Sequence, residues 1–351
     1  MPYYWHDNET KVRGGLFVKN NMKKLSLLLF GLVLLLAACG GGTESKGEEK
    51  NKASESGSEE ETYKIGISQI SDHPSLNAAT EGFKKAIEDS GLKVDFDPQN
   101  AAGDPNMSTT IANSFVSAGV DLIFANATPS AQAAMAATTD IPVVFTSVTD
   151  AVGAELVDSM EAPGKNATGT IDLHPDTIAK TVAFLKELGV KNVGMVYSAG
   201  EQNSVAQVKE VKKIAAEHGL TIVEANAATS AEVKQASESL IGKIDAFYII
   251  TDNIVVTALE SVIDVANTNK LPLIVGELDS VARGGLAAYG FQYYDIGYEA
   301  GQMAVKILKG EAKPAETPAQ YPQNLKLQIN KKVAESLGID IKDAWGAELV
   351  E

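Results

Sequence analysis

From residue 63 onward the chain alternates between two hydrophobic rhythms. Short runs rich in Val, Ile and Phe are followed by longer stretches in which apolar residues return every three or four positions. The first rhythm predicts strands and the second amphipathic helices. Strands are expected at 64–70, 93–96, 121–126 and 143–147, with helices at 76–90, 105–118 and 129–138 between them. The helix at 105–118 has the clearest start, with Asp104 in the N-cap position and Pro105 in the first turn. A second series follows: helix 175–188, strand 192–197, helix 204–218, strand 221–225, helix 231–241, strand 246–251, helix 254–267 and strand 273–276. Beyond Gly285 the pattern predicts strand 286–291, helix 295–308 stopped by Gly310, a proline-containing passage at 313–322, strand 325–329 and helix 331–337.

Strands that alternate with helices are joined by right-handed crossovers and therefore form parallel sheets. Two such series predict an α/β chain with two Rossmann-like, doubly wound lobes. The two series share a layout. Asn126-Ala127-Thr128-Pro129 closes one strand and leads through Ile141-Pro142 to the next, and Thr251-Asp252-Asn253 leads through Leu271-Pro272 in the same way. The parallel supports a duplication. The limits expected are 63–171 plus 286–312 for the first lobe and 172–285 plus 313–340 for the second, with 341–351 as a tail.

The amino end follows another pattern. Met22-Lys23-Lys24 precedes an apolar run that ends in Leu36-Ala37-Ala38-Cys39-Gly40. A run of about 14 residues is too short for a permanent membrane span, and its small-residue ending is that of a lipoprotein signal peptide. Residues 1–38 are read as an upstream extension and signal peptide, and Cys39, the one cysteine of the chain, as the lipidated residue. Residues 39–62 are rich in Gly, Ser, Glu and Lys and read as an acidic tether. The membrane is thus expected to be met through a lipid anchor alone, on its outer face.

Charge and composition narrow the function. The formal net charge is −16, which argues against a nucleic-acid partner. One cysteine makes no intrachain disulfide, and four histidines, without a G-x-S-x-G, P-loop or H-E-x-x-H pattern, leave little for catalysis. No cofactor, metal or enzymatic role is expected.

In open parallel sheets, ligands bind where strands end and helices begin. The loops at those places hold Gln69, His73 and Asn77, then Thr128 and Ser130, then Ser147 and Thr149 in the first lobe. In the second they hold Asn203 and Ser204, then Asp252 and Asn253, then Glu277. None of these loops contains Lys or Arg, so a neutral or zwitterionic ligand suits them better than a phosphate. Thr128, Ser130, Ser147 and Thr149 are candidates for a carboxylate, and Asp252 and Glu277 for an ammonium. Residues of these types also serve as ordinary N-caps, and each alone reads equally well that way. Asp150, Asp172 and Asp279 are expected to be caps or solvated, and Tyr289, Phe291, Tyr293 and Tyr294 to pack in the core or between lobes.

Ile65-Gly66-Ile67-Ser68-Gln69-Ile70 with His73-Pro74, Ala127-Thr128-Pro129, Pro142 through Asp150, Glu201-Gln202-Asn203-Ser204, Thr251-Asp252-Asn253, Val275-Gly276-Glu277 and Tyr293-Tyr294-Asp295-Ile296-Gly297 fall in order along 63–310. In these segments the chain resembles the ABC-transporter substrate-binding family that includes tryptophan- and tyrosine-binding lipoproteins. Ala151 stands where proline is frequent in that family. The resemblance implies a type I periplasmic-binding-protein fold with a three-segment hinge and a ligand in the cleft, most often an aromatic amino acid. It also implies a permease and an ATPase on separate chains, with the binding protein a monomer. The alternatives are a surface sensor or adhesin that uses the same cleft, and an import receptor for a nucleoside or a branched-chain amino acid. A LacI-like regulator would need a basic helix-turn-helix where this chain has its acidic tether.

Overall fold

The computed structural model describes residues 62–351; the residues read as signal peptide, Cys39 and nearly all of the tether lie outside the described residues. The first lobe runs β1 (Thr62–Gln69), α1 (Pro74–Asp89), β2 (Lys93–Asn100), α2 (Pro105–Ala118), β3 (Leu122–Asn126), α3 (Thr128–Ala137), β4 (Val143–Val148) and β5 (Ala167–Ile171). The second runs α4 (Thr177–Glu187), β6 (Asn192–Tyr197), α5 (Gln202–His218), β7 (Thr221–Asn226), α6 (Val233–Glu238), β8 (Ala246–Ile249), α7 (Asn253–Thr257), α8 (Leu259–Thr268), β9 (Leu273–Val275), α9 (Leu278–Arg283) and β10 (Ala287–Gly290). The chain then returns to the first lobe as α10 (Tyr293–Leu308) and ends in the second with β11 (Lys326–Asn330), α11 (Lys331–Leu337) and β12 (Glu348–Val350).

Five parallel strands form the first sheet, in the order β2-β1-β3-β4-β5. Seven form the second, in the order β12-β11-β10-β9-β8-β6-β7, with β10 and β11 antiparallel. The inner strands β3 and β4, and β5 at the sheet edge, are buried along their whole length, as strands covered on both faces must be. Side chains alternate between the two faces. From β3, Ile123 and Ala125 meet Ile111 and Phe115 of α2, while Leu122 and Phe124 meet Phe83 and Ile87 of α1 together with Ala300 and Ala304 of α10. Pro98 sits in β2, at the sheet edge, where its missing N–H costs no ladder bond.

The helix ends follow local chemistry. The Asp104 side chain accepts the Asn106 N–H to start α2, and Gly119 ends it in the left-handed region at φ 62°. Helices α1 and α10 touch through glycine. A Cβ on Gly297 would lie 1.9 Å from the Ala79 carbonyl oxygen, and one on Gly82 would lie 2.1 Å from that of Tyr294.

Three passages cross between the lobes: after Ile171, after Gly290, and before Lys326. The third is stitched to the first lobe, since the Gln320 N–H donates to Gly169 and its carbonyl accepts from Ile171 N–H, both at 2.9 Å. Two expected limits shift as a result. Strand β10 belongs to the second sheet because it pairs with β9 and β11, so the return to the first lobe comes at α10 and not at residue 286. The stretch 341–351 is an edge of the second lobe: β12 pairs with β11, and Trp345 packs edge-on against Phe184 at 5.0 Å while its Nε1–H donates to Glu187.

Strand β5 and helix α9 carried no expectation. Ala167–Ile171 reads ATGTI, too small and polar to register as a strand, yet it completes the first sheet. The expected helix 254–267 is two helices, α7 and α8, broken at Ala258 with φ −109° and ψ 25°. The expected helix 231–241 begins as a 3-10 turn and ends at Glu238.

Candidate ligand-binding site

The strand-end loops of both lobes converge. Ser75, in the first turn of α1, donates its hydroxyl proton toward two carboxylates of the second lobe, Asp279 at 2.7 Å and Glu277 at 3.1 Å. An enclosed cavity lies beside this contact, lined by His73 and Leu76 from the first lobe, Thr251, Asp252, Asn253, Val256 and Glu277 from the second, and Asp172 and Tyr293 from two of the crossing passages. Its volume of about 10 Å³ has room for a single water, so a solute enters only when the lobes part. Thr149 lines a larger open groove of about 940 Å³, bordered by Leu173, His174, Gln202 and Val205. The groove is bigger, but the cavity is where buried polar side chains from both lobes meet.

Helix α3 starts at Ala127, which takes φ 83° and offers no side-chain cap. Around that start the hydroxyls of Thr128, Ser130 and Ser147 are buried and have no hydrogen-bond partner. Ser147 is itself in the left-handed region at φ 55°, an uncommon posture for serine. A buried hydroxyl without a partner costs roughly 1–3 kcal/mol, and three together are donors waiting for an acceptor.

The second lobe supplies carboxyl groups. Asp252 caps α7 by accepting from Val255 N–H, and its other oxygen accepts from Ser198 N–H and the Ser204 hydroxyl, both at 2.6 Å. Glu277 caps α9, accepting from the backbone and hydroxyl of Ser280. Glu201 is held by the side-chain amides of Asn203 and Asn253 at 3.0 and 2.7 Å. Burial pushes the Glu201 carboxyl up to about 7, helped by the Asp252 charge beside it. Burial also raises Asp252 and Glu277. Asp172 is buried, accepting from the Thr149 hydroxyl at 3.1 Å on one oxygen and the Tyr293 hydroxyl at 2.8 Å on the other, and burial raises it to about 6. His73 is buried with Nδ1 unpartnered; burial and the nearby Arg283 charge lower it to about 3, so it is neutral at physiological pH.

The site residues expected from sequence divide into groups. His73, Asp252, Asn253 and Glu277 line the cavity; Thr128, Ser130 and Ser147 form the unpartnered hydroxyl set; Thr149 braces Asp172. Asn203 and Ser204 hold Glu201 and Asp252. Gln69 and Asn77 are taken up by their own loop: Gln69 bonds to Ser71, Asn77 and Thr80, and exposed Asn77 to Asp72. Asp252 and Glu277, expected to receive an ammonium, each already accept three N–H or O–H donors. Asp172 is neither a cap nor solvated, and Tyr293 faces the cavity. Tyr293 also packs in the core as expected, stacked on Phe291; Asp172 was read as a cap or solvated residue because its position depends on β5 and on the lobe crossing at α10. Ser75 gave no sequence signal, since its partners are 202 and 204 residues away.

Two lobes of mainly parallel strands with three crossings, and polar side chains of both lobes buried around one cavity, define a type I periplasmic-binding-protein architecture. The chain belongs to the ABC transporter substrate binding protein family, whose model matches residues 64–348; its role is solute binding and not catalysis. It is 41% identical over 325 residues to a tyrosine-binding protein of Clostridioides difficile, covering 90% of this chain and 92% of that one. A Streptococcus pneumoniae ABC domain in complex with L-Trp superimposes with a TM-score of 0.79 at 34% identity, covering 83% of this chain and all of that one. The ligand-free, open structure of a Clostridium difficile substrate-binding protein with adhesive properties reaches only 0.62, at 40% identity, covering 82% and 99%. The better fit to the ligand-bound relative, despite lower identity, agrees with the Ser75 contacts: the arrangement described is the closed one. Among the described residues no helix is long and apolar enough to cross a membrane.

Proposed function

We propose that this chain is the lipid-anchored receptor of an ABC importer for an aromatic amino acid, working on the outer face of the membrane. The observation that carries this reading is that groups of opposite chemistry are buried at the strand ends. Unpartnered hydroxyls at the uncapped start of α3 suit a carboxylate, and buried carboxyl groups near the hinge suit an ammonium. The tyrosine-binding relative and the L-Trp complex support an aromatic side chain. Cys39, after its signal peptide, supplies the anchor, and the closed form is what a separate permease and ATPase would recognise. The protein acts as a monomer, delivering solute by opening and closing its lobes.

The test is calorimetric titration of residues 61–351, unfolded and refolded to strip carried-over solute, with tryptophan, tyrosine, phenylalanine, leucine and adenosine. Micromolar or tighter binding of an aromatic amino acid, about −8 kcal/mol or better, is expected; silence with all three aromatic amino acids would sink the assignment. The adhesive properties of one relative favour a second reading in which the same protein also serves in surface adhesion. Loss of adhesion without loss of uptake in a strain carrying a cleft variant would separate the two.

A further inference from the structure

Among the buried carboxyl groups of the cleft, Asp172 differs in how its oxygens are used. Asp252 and Glu277 each cap a helix and each accept three N–H or O–H donors. Glu201 also accepts three, all on one oxygen and all from Asn203 and Asn253 of its own lobe, and it does not line the cavity. Asp172 accepts one neutral hydroxyl on each oxygen, from Thr149 and Tyr293, and each carboxylate oxygen has a second lone pair. No salt bridge to Asp172 occurs among the described residues, and its side chain lines the enclosed cavity together with His73 and Asn253.

Its place in the fold is equally particular. Asp172 follows β5 at the first lobe crossing, Tyr293 opens α10 at the second, and Thr149 follows β4. The carboxylate is therefore gripped by both crossings and by the loop just after Ser147, a member of the unpartnered hydroxyl set. We propose that Asp172 is the receptor for the solute's α-ammonium group, held in position by Thr149 and Tyr293 and completing the zwitterion site whose carboxylate end is Thr128, Ser130 and Ser147. The inference rests on the solute being an amino acid. A buried carboxylate with two hydroxyl donors and no counter-ion lacks a cation; a solute ammonium supplies the charge and further N–H donors at once. Burial holds this carboxyl up to about 6 without the solute, which is the state of a charge still awaiting its partner.

The test compares each amino acid with its des-amino analogue: L-tyrosine with 3-(4-hydroxyphenyl)propionate and L-tryptophan with indole-3-propionate. Wild-type protein is expected to prefer the amino acid by 100-fold or more. Asp172→Asn is expected to lose at least 100-fold for the amino acid and to keep the analogue within threefold. Asp172→Glu, which keeps the charge on a longer arm, is expected to recover part of the preference. Should Asp172→Asn fail to fold, Tyr293→Phe leaves the carboxylate in place with one donor fewer and is expected to narrow the preference three- to tenfold. An Asp172→Asn protein that keeps the wild-type preference, or loses both ligands by the same factor while folded, overturns the proposal. Failure of the aromatic reading looks different: the wild-type protein binds leucine, say, and neither aromatic amino acid, and leucine with 4-methylpentanoate then serves as the pair. Wild-type protein that binds no α-amino acid overturns both.

Discussion

The hydroxyls of Thr128, Ser130 and Ser147 and the carboxyl of Glu201 are all buried at a cost to folding, and the cost shows in different ways. A hydroxyl without a partner destabilises at every pH. Ser130→Ala is therefore expected to leave the urea midpoint unchanged or raise it, by about 1 kcal/mol in unfolding free energy, while weakening solute binding tenfold or more by calorimetry. A Ser130→Ala protein that melts earlier and binds normally would make that hydroxyl structural. Glu201 carries a pH-dependent cost. Its carboxyl titrates near 4.5 when unfolded and at about 7 when folded, so the folded chain holds the proton more tightly. Stability from this group is present below pH 4.5 and is lost as pH rises to about 7. Glu201→Gln removes the loss, and its advantage over wild type is expected to grow from near zero at pH 4.5 to on the order of 1 kcal/mol or more at pH 8, read by urea unfolding at the two pH values. His73, lowered to about 3, acts with the opposite sign, its contribution being lost as pH falls below 6.5. Measuring the variant against wild type at each pH cancels it. Asp252 and Glu277 were legible as strand-end carboxyl groups ahead of helices; Asp172 was read as a cap or solvated residue, because the ATGTI strand before it has no apolar run and its partners Thr149 and Tyr293 are distant in sequence.

Elements with a strong period stand close to where the sequence places them. Helix α2 and strand β6 match to the residue, and α11 does too. Their ends are set by local chemistry, such as Asp104, Gly119 and Gly338, so nothing distant is needed to place them. Strand β5 forms because Thr168, Gly169 and Thr170 are clamped between β4 and the returning passage, with the Thr168 hydroxyl donating to Thr317 carbonyl and that of Thr170 to Ile296 carbonyl. That clamp exists only once α10 has docked. Its docking on α1 depends on Gly297 and Gly82, where an added Cβ meets backbone oxygen and no side chain can swing away. Gly297→Ala is expected to cost about 3 kcal/mol or more by overpacking, seen as an earlier urea midpoint. It should also weaken solute binding, because α10 carries Tyr293 at its start. A Gly297→Ala protein of wild-type stability would show that the helices can separate freely.

At the scale of the molecule, closure rests on few direct bonds, of which the Ser75 hydroxyl to Glu277 and Asp279 is one. Ser75→Ala removes it without touching either lobe's core. It is expected to leave the unfolding midpoint in place and weaken the solute three- to tenfold, about 0.7–1.4 kcal/mol, by favouring the open form. Small-angle scattering should show a larger radius than wild type at subsaturating solute; an equal radius and affinity would mean other contacts hold the lobes. The sequence by itself determined the α/β alternation, the two lobes, and the strand-end loops as the place of binding, because hydrophobic period and turn chemistry are local properties. Only the tertiary structure decided that β10 belongs to the second sheet, that Ser75 reaches across to Glu277 and Asp279, and that Asp172 is gripped by Thr149 and Tyr293. Those pairs lie 202, 204, 23 and 121 residues apart, and contacts between loops leave no periodic trace in the chain that folds to make them.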